Sequence, residues 1–297
     1  EKSRQVGATV FVHAENGEIL NFLRSECVKK GQLTPHYHYV SRPPFTEAEA
    51  VRRAIYLAGQ TDTPLYIAHM TCREAIAELQ KAKGTGQRVS GETCTHYLTT
   101  TKEVLDNPDF NEAAKFVCSP ALRDQEDCEA LWQALAGGLL TAVSSDHCGI
   151  DVAELKQAGR DDFTQIPNGS PGAGDRLHMV WTEGVCTGKL SRQKFVDVIA
   201  TQPAKINGIY PRKGTLAVGS DADIVIFDPS YEGVIRLADN PNGVDYNLYE
   251  GHRQSGRVET VLLRGQVVVE NAKFVGRYGQ GQFIPASMYA SGYENRN

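Results

Sequence analysis

Four short apolar runs, each ending in a polar residue, constrain the fold of this chain more than any other feature. They are Val10–His13, Leu65–His69, Arg88–Glu92 and Leu140–Asp146, and each opens into a loop and then a helix-like stretch. Strands that alternate with helices predict an α/β fold with a parallel sheet. In a barrel built this way the C-terminal strand ends form the rim where catalytic groups gather. Three of the runs end in His13, His69 and Asp146. Two imidazoles and a carboxylate at one rim suit zinc, with an open position for water, so metal-assisted hydrolysis is the leading chemistry.

The stretches after the runs carry helical periodicity. Val51, Ala54, Ile55 and Ala58 follow i, i+3, i+4, i+7 spacing, as do Cys72, Ala75, Ile76 and Leu79, and Leu131, Ala134, Leu135 and Gly138. Each stripe can seat a helix on a sheet, and Gly137-Gly138 reads as a helix stop. Thr46–Glu49 and Thr71–Glu74 have the pattern of capping boxes at helix starts. The formal net charge of -5 and the lack of a basic run argue against nucleic acid and anionic membranes as partners. No apolar stretch has the length of a membrane span. Seven cysteines without a Cys-x-x-Cys fit reduced thiols, hence a cytoplasmic location, better than a disulfide framework or a zinc ribbon.

From Gly214 the character changes. Gly214–Asp228 is punctuated by Gly and Asp and closes on a β-branched run, and Val261–Val269 reads as a hairpin turning at Gly265. The expected division is an α/β domain over 1–213, a small β domain over 214–275 and a C-terminal arm over 276–297.

Each remaining candidate has a competing structural reading. A histidine after a strand is more often structural than a ligand; the repetition of one position in three runs is what singles out His13, His69 and Asp146. The pair His36 and His38 has chelating spacing but lies among Pro35, Pro43 and Pro44, so it is read as a loop decoy. His147 would face away from Asp146 and is a candidate supporting residue. His96, His178 and His252 have no supporting context. Glu92 is either an acid/base group or a structural carboxylate. Gly169–Gly174 lacks the Gly-Lys-Ser/Thr ending of a phosphate loop, and no Gly-x-Ser-x-Gly elbow is present.

Taken in order, the motifs resemble the dihydropyrimidinase and D-hydantoinase family of cyclic amidohydrolases. They are Val12–Gly17, Ala68–Thr71, Gly91–Cys94, Cys118–Arg123, Ser145–Cys148 and Ile166–Gly169, followed by Gly214–Asp228 as the return into a β-sandwich. The resemblance implies a TIM-type (β/α)8 barrel joined to a small β-sandwich, of which this chain would supply the C-terminal half and part of the sandwich. It implies hydrolysis of a 5,6-dihydropyrimidine or hydantoin to an N-carbamoyl amino acid, and a dimer or tetramer in the full-length form. Two divalent metals, usually zinc, would be bridged by a carboxylated lysine. His13 and His69 would serve one metal and Asp146 the other, with Asp146 also carrying the proton from water to the leaving nitrogen. Ser119 and Asn168 would hold the cyclic amide through backbone groups.

The family's His-x-His, bridging lysine and substrate tyrosine fall before the segment that matches Glu1, and Lys81 or Lys83 cannot replace the lysine. The isolated chain is therefore expected to be inactive and prone to aggregate. Gly149 stands where the family commonly has proline. The rival readings are a non-catalytic scaffold protein on the same fold, disfavoured by the retention of His13, His69 and Asp146, and a related ring hydrolase such as allantoinase.

Overall fold

The computed structural model describes residues 1–287. The last ten positions of the expected arm, 288–297, lie outside the described residues.

The four apolar runs form one parallel sheet in sequential order: β1 (Val10–Val12), β2 (Leu65–Ile67), β3 (Val89–Cys94) and β4 (Ala142–Ser144). Val10, Leu65 and Val89 lie in register across the first three strands, and Glu92 lies opposite Ala142 across the last pair. Sequential parallel order follows from the crossover helices, which return the chain to the same edge each time. Helices Pro44–Thr61, Arg73–Gly84 and Gln125–Ala136 are those crossovers. Their expected stripes are the residues they bury: Val51, Ile55 and Ala58, then Ala75, Ile76 and Leu79, then Leu131, Ala134 and Leu135, in one core with Leu65, Ile67 and Val143. Gly138 follows the third helix with φ +74, a conformation glycine adopts without a Cβ penalty.

Neither capping box forms. Helix Pro44–Thr61 starts two residues before Thr46, with proline in its first turn, and the Thr46 hydroxyl donates to the Pro43 carbonyl. Glu49 accepts from Asn16, which caps the helix Gly17–Lys29. The Thr71 hydroxyl and amide both go to Glu47. The segment read as a loop around His36 and His38 is also different: His36–Val40 is a short helix, which Pro35 starts and Ser41 ends.

The second sheet is antiparallel, in the order β5 (Ile224–Val234), β6 (Arg253–Leu263), β7 (Gln266–Glu270) and β8 (Lys273–Phe274). The expected hairpin is the β6–β7 connection, a two-residue turn with Arg264 and Gly265 both at positive φ. Pro229 lies in the irregularity between Asp228 and Glu232, where a missing amide breaks no ladder bond. The antiparallel sheet meets the helices Trp181–Val185 and Arg192–Val196 through aromatic rings: Trp181 packs at 4.9 Å from Phe227 of β5 and 5.3 Å from Phe195. Gly256 lets β6 close over them, since a Cβ there would stand 2.5 Å from the Phe227 ring.

Candidate active site

His13 and His69 follow β1 and β2, whose parallel pairing sets their backbones side by side. His13 Nδ1 lies 3.0 Å from His69 Nε2. His69 is 7% exposed, and its Nδ1 is buried without a hydrogen-bond partner. Burial, then the neighbouring His13, pushes the His69 pKa down, while the Asp146 charge pulls it up. Asp146 itself is exposed, just past β4. His69 and Asp146 share an uncommon backbone, with φ 36° and 43°. Left-handed non-glycine residues of this kind concentrate at functional sites.

The structure thus brings the two histidines into contact and sets Asp146 within electrostatic reach of His69. Among the described residues, no group of three or more His, Cys, Asp or Glu side chains is close enough to hold a metal ion. The donor chemistry nonetheless fits a divalent metal: imidazole nitrogens facing one another, an orphaned buried imidazole nitrogen, and a carboxylate whose charge acts on His69.

Behind the histidines runs a buried polar network whose contacts no motif disclosed, although Glu15, Thr71 and Arg123 lie within the motifs. His13 Nε2 is 3.0 Å from Glu15 Oε2, which also accepts from Arg42 at 2.8 Å. Burial alone would raise the Glu15 pKa, but the His13 hydrogen bond and the Arg42 charge hold it at about 2. Arg123 donates to the Arg42 carbonyl, to Glu47 at 3.1 Å and to Thr71 at 2.9 Å. Thr71 lies two residues after His69, so the loops after β1 and β2 are tied together through one guanidinium. The residues of this network are far apart in sequence, which is why periodicity could not reveal it.

Ser119 and Asn168 are joined directly, Ser119 Oγ donating to Asn168 Oδ1 at 2.6 Å. The Asn168 amide donates to the Ile166 carbonyl, which fixes its orientation. Glu92 does not end its strand; β3 continues to Cys94. Its Oε2 accepts from Tyr66 at 2.8 Å, and burial raises its pKa, consistent with a structural carboxylate.

Four of the other histidines have partners of their own. His38 is buried with Nε2 2.7 Å from the Cys118 carbonyl, and His36 pairs with Asp106. His147 accepts from the Gly172 amide, holding the glycine-rich loop to the chain after β4. Next to it, Gly169 (φ +129) passes so close to Cys148 that a Cβ would stand 2.7 Å from its sulfur. His252 contacts Glu183 at 2.9 Å. His96 is buried, with Nε2 unpartnered. Lys81 pairs with Glu78, and Lys83 donates to the Leu139 carbonyl. All seven cysteines are free and five are buried. No helix among the described residues is long and apolar enough to cross a membrane.

Comparison with known proteins bears on this geometry. The model of the amidohydrolase family matches residues 2–268. The chain belongs to the amidohydrolase family. Within that family it is 48% identical to the D-hydantoinase of Ralstonia pickettii over 289 residues, covering 97% of this chain and 63% of that protein. It is 49% identical to the D-hydantoinase of Rhizobium radiobacter, with the same shares covered. The crystal structure of dihydropyrimidinase from Brevibacillus agri superposes with a TM-score of 0.96 at 44% identity, covering 97% of this chain and 62% of that one. The chain therefore spans somewhat less than two thirds of the length of these relatives.

Proposed function

We propose that this chain carries the later strands of a cyclic-amide hydrolase barrel, of hydantoinase or dihydropyrimidinase type. The observation that carries the reading is the His13–His69 contact at adjacent parallel strand ends, with Asp146 in electrostatic reach of His69. The names of its relatives support a cyclic amide as substrate. The four parallel strands are read as part of an eight-stranded barrel over 1–213, and the antiparallel sheet as part of a sandwich over 214–275, with an arm following. The proposed location is the cytoplasm, and the proposed assembly is a dimer or tetramer.

His13 and His69 would hold one divalent ion, most simply zinc, with Asp146 on a second. A lysine and a His-x-His from the remainder of such a protein would complete the pair. Bound metal supplies Lewis acidity, polarising the amide carbonyl and making water nucleophilic near neutral pH. Asp146 takes the proton from the attacking water and delivers it to the ring nitrogen as the C–N bond breaks. Its exposed position at the rim leaves it free to move between the two. Ser119 and Asn168 orient the ring amide through their backbone groups, so that one carbonyl faces the histidines. Glu15, held ionised by His13 and Arg42, fixes the His13 ring for metal binding.

The test is ring opening of hydantoin and dihydrouracil with zinc and bicarbonate. The chain is assayed alone and with the remaining portion of the Ralstonia pickettii D-hydantoinase supplied in trans. Turnover is expected only in the second mixture, and its loss with Asp146→Asn ties it to this chain. Steady turnover by the isolated chain, or none in either mixture, overturns the reading.

A further inference from the structure

Ser119 and Asn168 belong to two separate segments, and one short turn touches both. That turn is the 3-10 helix Lys156–Gly159. Lys156 at its start is completely buried, at 0% exposure, and its Nζ donates to the Val117 carbonyl at 3.1 Å. The same carbonyl accepts the Gly169 amide at 3.0 Å. Gly159 at the end of the turn backs directly onto Ile166: a Cβ there would stand 2.1 Å from Ile166 Cγ1 and 2.5 Å from its amide nitrogen. One carbonyl, two residues before Ser119, is thus bonded at once by the lysine and by the residue after Asn168.

Burying an ammonium is costly, and the nearby ionisable groups acting on this one are the thiols Cys118 and Cys148, not a carboxylate. Burial lowers its pKa to about 8. A methionine of similar length would fill the space without that desolvation cost. As packing alone, lysine is a poor choice at this position.

We propose that Lys156 is a positioning residue for the substrate pair. By holding Val117 and, through the shared carbonyl, Gly169, it sets the spacing between Ser119 and Asn168 and so the seat of the ring amide. The inference rests on the substrate role proposed above for that pair.

Lys156→Met and Lys156→Gln, measured in the complex with the complementing portion, separate this role from a structural one. With Met, unfolding stability is expected to stay equal or rise, while amide exchange at Gly169 speeds up by about tenfold, the equivalent of one lost hydrogen bond. In the trans-complemented enzyme the hydantoin KM should rise by a similar factor, with kcat changed less than about threefold. Gln, which keeps a donor without the charge, should retain most of the Gly169 protection. Unchanged exchange at Gly169 with Met overturns the proposal, as does a fall in stability with exchange faster across the whole chain. If Met does not fold, the Gln variant decides: local protection retained supports the proposal, and general loss overturns it. If the complemented enzyme opens no ring, the substrate reading fails, while the exchange result still reports on what Lys156 holds.

Discussion

Asp146 leaves β4 with φ at 43°, a conformation that costs a non-glycine residue roughly 1–3 kcal/mol and that the surrounding structure must hold in place. The side chain is exposed, so little packing is lost when it is removed. Asp146→Gly should therefore raise unfolding stability by about 1 kcal/mol while abolishing ring opening in the complemented enzyme, as denaturant midpoints and turnover would show. Asp146→Asn should lower kcat by about 10²–10⁴-fold, the usual worth of a positioned proton carrier, with zinc retained in part. A variant keeping more than about a tenth of the activity would remove Asp146 from the proton-transfer role.

His38 gives a second residue-scale expectation. Burial drives its pKa down to about 3, well below the ordinary value near 6.5. Between those values the unfolded chain binds a proton that the folded chain does not. Stability is therefore unaffected by His38 above about pH 6.5 and falls as pH is lowered towards 3, at about 1.4 kcal/mol per pH unit. His38→Gln can keep the hydrogen bond to the Cys118 carbonyl and should flatten the dependence between pH 6 and 4 by about one proton. Urea titrations across that range would measure it.

At the scale of elements, Arg123 and Glu47 form the bond between units that periodicity treats as separate. Both are almost fully buried, and with Thr71 they lock the start of helix Pro44–Thr61 to the loop that carries His69. Removing one partner strands a buried charge, so Arg123→Met should cost about 3–5 kcal/mol of stability. Replacing both, as Arg123→Met with Glu47→Leu, should recover much of that stability. If the network also orients the histidines, the double variant should still bind zinc more weakly than wild type in chelator competition. A double variant with wild-type metal affinity would reduce the network to a structural tie.

Across the whole molecule, the antiparallel sheet is coupled to the core that covers the parallel sheet through the Trp181, Phe195 and Phe227 rings. Trp181 is 7% exposed and belongs to the main core. Trp181→Ala should cost about 3–5 kcal/mol. Because the deleted ring is the shared one, thermal unfolding should also separate into two transitions, visible by calorimetry. A single transition merely shifted down would show that the sheets are held together by other contacts.

The strand runs, the helix stripes and the Arg264-Gly265 hairpin were legible in the sequence because each depends on local periodicity or on the conformation of one turn. The strand-end positions of His13, His69 and Asp146 were legible for the same reason: β-strands in register carry their ends to one edge. The capping boxes misled because a hydroxyl and a carboxylate near a helix start can serve any nearby donor or acceptor. Only the fold determined that Thr71 meets Glu47, whereas Thr46 turns back to Pro43 three residues earlier in the first turn of its own helix. The short helix at His36–Val40 was hidden by flanking prolines, which are compatible with a helix start as well as a loop. What only the tertiary structure decided are the contacts between segments distant in sequence: Arg123 between two loops, Lys156 beneath Val117, Ser119 against Asn168. Local sequence sets which conformations a segment can adopt. Which partner a buried polar group finds is set by the packing of the entire core, because once water is excluded each such group must be satisfied by whatever the fold brings near it.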